Sequence, residues 1–192
     1  MQWTDKGYLL SKHNYDENSI IIETFTLDHG KYTGIVYGGS SRKQKRNFQI
    51  GNKILLNWKS KNENKTGYFT VELLEPIAPY FFDDKKKIAC ILSATSILKI
   101  LLPDRQINRN IFFLFEKMLE SLKSKNWIDI YIKWELLLVK ELGYEDNVNL
   151  ESMTDIKKSL IFNRNLLMKN FFIPNRIRFP FFRKVLENYF RT

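Results

Sequence analysis

The sequence has little of what most catalytic and stapling chemistry requires. One cysteine stands in 192 residues, which excludes an intramolecular disulfide and any multi-cysteine zinc site. That residue, Cys90, lies in "IACILSA" and reads as a small buried hydrophobe on an apolar helix. The two histidines, His13 and His29, fall in or beside turns, and neither a Ser-His-acid spacing nor an HExxH pair occurs. The acidic pair Asp83-Asp84 is a better helix cap than a Mg²⁺ ligand, because the helix dipole favours anions there. No catalytic residue, metal or cofactor is expected, and the chain is not read as an enzyme. Long apolar runs are missing too. The longest, Ile88–Leu98, is interrupted by Ser93, Thr95 and Ser96 and falls short of the roughly 20 residues a bilayer span needs. The opening "MQWTDKG" has neither the cationic nor the apolar region of a secretory signal, so a soluble cytoplasmic protein is expected.

What the chain has in excess is positive charge. Lys and Arg outnumber Asp and Glu by 31 to 21, a net charge of +10. The abundance of Lys, Asn and Ile suggests AT-rich coding, so the distribution is more telling than the total. Residues 77–150 are nearly balanced, whereas residues 151–192 carry nine cations against three anions. Between residues 42 and 65, eight cations (Arg42, Lys43, Lys45, Arg46, Lys53, Lys59, Lys61 and Lys65) face Glu63 alone. An anionic partner fits that concentration.

The first 76 residues read as strands: 7–14, 19–27, 31–38, 53–61 and 66–74, separated by turn residues such as Asp28-His29-Gly30. In the last of these Phe69, Val71 and Leu73 alternate with Tyr68, Thr70 and Glu72. Five short strands in this length suit a small barrel of the oligonucleotide-binding (OB) type. After Pro76 the period becomes helical. A helix capped by Asp83 or Asp84 stops at Pro103, and a second, capped by Asn108 or Asn110, carries Ile111, Leu114, Phe115, Met118 and Leu122 on one stripe. A third, "WIDIYIKWELLLVKELG", is apolar around most of its circumference and ends at Gly143, as a left-handed stop residue would. Pro180 opens a closing helix, and residues 145–175 give no clear pattern. The expected fold is α+β and multidomain, with an OB-fold DNA-binding domain at 1–76 and a helical, partner-binding domain at 77–192.

The stretch "VYGGSSRKQKRNF" (36–48) tests the charge argument. It lacks the Gly-Lys-Ser/Thr that leads into a helix in phosphate-cradling nucleotide loops, so that reading fails. An OB barrel binds single strands with cations for phosphates and aromatic faces for bases. Arg42, Lys43, Lys45 and Arg46 lie in the loop after the third strand, and Lys31 and Tyr32 open that strand. Lys53 and Lys59 share the outward face of the next strand with Leu55 and Asn57, while Trp58 shares the opposite, core face with Ile54 and Leu56. A merely solvated basic loop explains the charge equally well at this point. Near the C-terminus Phe179, Phe181, Phe182, Val185, Leu186, Tyr189 and Phe190 are expected in the core, with Arg176, Arg178, Arg183 and Lys184 extending a basic surface.

The string "TDKGYLLSKHNYDENSIIIETFTLDHGKYTGIVYGGSSRKQKR" resembles the N-terminal signature of the RecO family of bacterial recombination mediators. The matching features are Gly7, the Tyr15–Glu17–Ser19 turn, Phe25-Thr26, His29-Gly30-Lys31 and the Gly-rich, Arg-containing loop at 38–46. "ILLPDRQINRNIFFLFEKMLESL" and "YIKWELLLVKELGY" resemble that family's helical domain, and the likeness fades beyond about residue 145. The resemblance implies a nucleoid-associated protein that binds single- and double-stranded DNA and anneals complementary strands. It further implies engagement of the acidic tail of single-strand binding protein (SSB) and, with RecR, assistance to RecA loading. It also implies phosphate contacts at Lys31, Arg42 and Lys43. Many members carry a four-cysteine zinc module after the Glu-Leu-Gly helix; this sequence has no cysteine there, so a short form without zinc is expected. An acidic peptide with an aromatic end would seek an apolar pocket rimmed by cations, for which Arg105, Arg109 and Lys117 are candidates by chemistry. A generic single-strand-binding module and an interaction adaptor with a vestigial barrel remain as alternatives.

Overall fold

The computed structural model describes residues 1–41, 44, 47–62, 66–144 and 155–190. The chain forms two compact units, Met1–Arg109 and Asn110–Thr192.

In the first unit, β1 (Gln2–Asn14), β2 (Ser19–Thr26), β3 (Gly30–Tyr37), β4 (Lys53–Lys59) and β5 (Gly67–Glu75) close into a barrel in the order β1-β2-β3-β5-β4. β1 pairs antiparallel with both β2 and β4, and β3 meets β5 in parallel, which is the OB topology. Alternation sets the interior: Leu9, Ile20, Ile22, Val36, Ile54, Leu56, Trp58 and Phe69 pack together with Phe48 from the β3–β4 connection. Each such aliphatic side chain contributes about 1.5–3 kcal/mol on burial. Closure depends on two glycines. Gly34 pairs with Gly67 where β3 meets β5, and a Cβ on either would lie 2.5 Å from the Phe69 ring or 2.2 Å from the Trp58 ring.

β1 starts five residues earlier than the sequence pattern predicts. Its opening turn of alternation is hidden because Asp5 occupies a buried position, accepting from the Lys6 and Asp28 amides and contacting His29 Nδ1 at 3.0 Å. The middle of β1 is buried on both faces, since α1 (Lys85–Leu101) packs against it. Small buried residues on that helix, Ala89, Cys90, Ser93 and Ala94, permit the close approach. Asp84 caps α1 by accepting from the Lys86 and Lys87 amides, so this carboxylate serves as a cap.

The helices that follow are α2 (Arg109–Ser121), which lies in the second unit from Asn110 onward, α3 (Trp127–Glu141), α4 (Ile156–Leu167) and α5 (Phe181–Asn188). α3 is buried on most sides and stops at Gly143 with φ +84°, as expected. Residues 145–154 of the unclear stretch lie outside the described residues; α4 follows, capped by Asp155 and extended by a π turn at Met168–Phe172. The C-terminal expectation is partly reversed. Phe181 and Phe182 are exposed, whereas Arg183 is fully buried. The cause is Glu135 on α3, which takes Arg183 Nε at 2.5 Å and Nη2 at 3.1 Å. Tyr131 Oη and Asn163 Nδ2 also donate to Glu135, and Arg183 donates to the Leu160 carbonyl. Burial alone would weaken the guanidinium charge, but Glu135 and Glu187 outweigh it and raise its pKa.

Candidate nucleic-acid interface

The barrel presents two ends with different chemistry along the outward face of β4. Lys53 and Lys59 lie on that face, roughly 20 Å apart at the ordinary rise of a strand. Around Lys53 the neighbours are mixed: Glu75 is its partner on β5, Glu72 pairs with Leu55, and its ammonium lies 5.7 Å from the Tyr8 ring. Lys59 has no carboxylate as a strand partner. Its partners are Gln2 on β1 and Tyr68 on β5. A cleft of about 390 Å³ opens there, lined by Met1, Gln2, Lys59, Ser60, Lys61 and Tyr68.

Tyr68 also stacks on Tyr37 at the end of β3, with ring centroids 5.0 Å apart and planes inclined by 24°. Both rings are open to solvent, at 64% for Tyr37 and 43% for Tyr68. A hydrogen bond with Tyr68, with Asp16 nearby, raises the Tyr37 phenol above its ordinary pKa. Tyr37 leads directly into Gly38, whose φ of +71° turns the chain toward Ser40, and Ser40 Oγ donates to the Glu17 carbonyl. The four cations of this loop, Arg42, Lys43, Lys45 and Arg46, lie outside the described residues.

Lys31 and Tyr32 stand in a different setting. The Lys31 side chain is 11% exposed; its ammonium donates to the Lys99 carbonyl in the last turn of α1 and pairs with Asp104 at 3.2 Å. A cation at a helix C-terminus complements the helix dipole. The Lys31 carbonyl accepts from the Arg105 amide, and a Cβ on Gly30 would lie 2.2 Å from the Gln106 carbonyl oxygen. The His29-Gly30-Lys31 motif thus docks the segment after α1 onto the barrel. Tyr32 is half-buried in an aromatic cluster: it meets Trp3 and Trp58 edge-on, Trp3 stacks on His29 at 4.1 Å, and Arg105 covers the Tyr32 ring at 5.3 Å. Trp58 is core, as expected. Of the partner-binding candidates, Arg109 is paired with Asp28 at 2.6 Å, Arg105 is engaged by Tyr32, and Lys117 is exposed on α2 in the second unit.

Sequence reasoning missed the Tyr37–Tyr68 pair. The two residues are far apart in the chain and meet only because β3 and β5 run in parallel, Ile35 being the register partner of Tyr68. For zinc the donor set does not fit: Cys90 is the single cysteine and is buried, and among the described residues no group of three or more His, Cys, Asp or Glu side chains could hold an ion. Among those residues no helix is long and apolar enough to cross a membrane.

Fold and site together define an OB-barrel protein with a helical extension and a cationic, tyrosine-bearing barrel end. Comparison with known families and proteins agrees over most of the chain. The family model described as Recombination protein O N terminal matches residues 1–78, and that described as Recombination protein O C terminal matches residues 83–151. The DNA repair protein RecO of Roseobacter denitrificans is 32% identical over 163 residues, covering 84% of this chain and 68% of that protein. Those of Jannaschia sp. and of a Wolbachia strain are 31% and 30% identical, each over 84% of this chain and over 66% and 68% of their own lengths. The chain spans about two thirds of the length of these relatives. It belongs to the RecO family of DNA repair proteins.

Proposed function

We propose that the protein is a DNA-binding recombination and repair mediator that anneals complementary strands and helps RecA load onto SSB-coated single-stranded DNA. The observation that carries this reading is membership of the RecO family across both a barrel and a helical segment. The physical arrangement supports it: a barrel end bearing Lys59, Lys61 and exposed tyrosines suits a strand of phosphates and bases. In this reading residues 1–76 supply the DNA contacts and residues 77–192 the protein contacts. Those contacts are with the acidic SSB tail and RecR, and through them with RecA. Arg105, Arg109 and Lys117 are the cations offered to an acidic peptide, and the work is done in the cytoplasm on the nucleoid. The reading requires no covalent step and no cofactor.

Annealing of complementary oligonucleotides coated with cognate SSB tests the reading. Wild type is compared with Arg42→Ala/Lys43→Ala/Arg46→Ala. Fast annealing that collapses in the triple variant supports a mediator acting through the 38–46 loop. Annealing indifferent to the substitutions moves the DNA surface elsewhere. No annealing with or without SSB favours a simple binding module or an adaptor.

A further inference from the structure

Exposed, stacked tyrosines at a cationic barrel end call for an explanation, because large apolar rings in solvent contribute little to folding. We propose that the Tyr37–Tyr68 pair is a stacking platform for an unpaired base of single-stranded nucleic acid, and that the cleft beside it seats the adjoining phosphate between Lys59 and Lys61. The inference rests on the DNA-binding reading above and names the residues that give it preference for unpaired strands. Three observations carry it. The rings are stacked on each other and pre-oriented, so a base adds to an existing platform at little cost in side-chain entropy. Tyr68 belongs both to the stack and to the cleft that Lys59 and Lys61 line, which places a base site and a phosphate site side by side. Neither β4 nor β5 presents a carboxylate as strand partner of Lys59, whereas Glu72 and Glu75 flank the other end of the same face; Asp16, in the β1–β2 turn, is a carboxylate within electrostatic reach of Tyr37. Duplex DNA hides its base faces, so a platform of this kind selects single strands.

A cross-strand clasp is the competing role, since the pair sits where β3 and β5 close the barrel. A clasp predicts loss of stability and no sensitivity to the presence of bases. The experiment is therefore a cycle of variant against substrate. Binding of the full chain to a thymidine oligonucleotide and to an abasic strand of equal length is measured for wild type, Tyr37→Leu/Tyr68→Leu, Tyr37→Phe/Tyr68→Phe and the single Tyr37→Leu. Base–aromatic stacking is worth about 1–3 kcal/mol per base, so the Leu pair should bind the thymidine strand about 5- to 150-fold more weakly. It should bind the abasic strand as wild type does, and the Phe pair should resemble wild type on both. Should the Leu pair fail to fold, Tyr37→Leu alone, at the more exposed position, carries the same test. A Leu variant that folds and keeps the wild-type preference for bases overturns the platform while leaving DNA binding intact. A wild type that binds neither strand overturns the DNA-binding reading and this inference together.

Discussion

Replacing Arg183 by methionine should unfold the second unit far more easily than replacing any exposed arginine. The guanidinium is fully buried, and it answers both oxygens of Glu135 and the carbonyl of Leu160. With it gone, Glu135 keeps Tyr131 and Asn163 as donors but holds an uncompensated charge in the core. Breaking a buried pair from one side costs about 3–5 kcal/mol. Small domains have about 5–15 kcal/mol in all, so about a fifth or more of the margin is at stake. At about 4–8 °C per kcal/mol for a unit of this size, the melting temperature should fall by at least about 12 °C. The double variant Glu135→Leu/Arg183→Met removes both charges at similar volume and should recover most of the loss, because apolar replacements of buried pairs are often neutral or better. Urea unfolding followed by far-UV circular dichroism reads all three proteins. A single variant within about 0.5 kcal/mol of wild type would place Arg183 at the surface and refute the packing of α5 against α3.

Other substitutions separate barrel core from barrel surface. Trp58→Ala should cost about 3–5 kcal/mol by chemical denaturation, as a buried aromatic does, and should lower DNA affinity only through unfolding. Gly67→Ala should cost about 1–3 kcal/mol, because the added methyl would press into the Trp58 ring. Lys59→Ala should reduce the slope of log affinity against log salt by about 0.7, the value for one phosphate of a single strand, with stability unchanged. Asp16 accepts from the Asn18 and Ser19 amides in the β1–β2 turn, and the Asn18 bond above all lowers its pKa from 3.8. A lowered carboxylate stabilises the fold above its unfolded value and ceases to do so as pH falls through the folded one. Loosening of this turn should therefore be confined to acid below about pH 4, and NMR titration of the Asn18 and Ser19 amides would show it.

The barrel was legible because period-two alternation and turn residues are local signals. Strand positions, the core role of Trp58, the Asp84 cap and the Gly143 stop all follow from neighbours in the chain. The helical unit was less legible because its organising contact is polar and remote. Glu135 sits within an apolar helix and Arg183 within an aromatic-basic segment, and each looks misplaced until the other is beside it. Arg183 turns inward to Glu135 and Glu187 pairs with Arg164, while Phe181 and Phe182 of the same helix face solvent. The candidate site was read halfway. Cations are visible in sequence, but their partners are not: the donation of Lys31 to the Lys99 carbonyl and its pairing with Asp104 appear only in the fold. Tyr68 looked like the polar half of an alternating strand, and its stacking on Tyr37 needed the parallel closure of the barrel to appear.

Amide hydrogen exchange on the whole chain, with and without a saturating thymidine oligonucleotide, addresses the central claim most directly. The account predicts slowed exchange in peptides spanning Tyr37 to Lys61 and Gly67 to Thr70, with the second unit unchanged. Protection confined to α4 and α5, with the barrel unaffected, would contradict it.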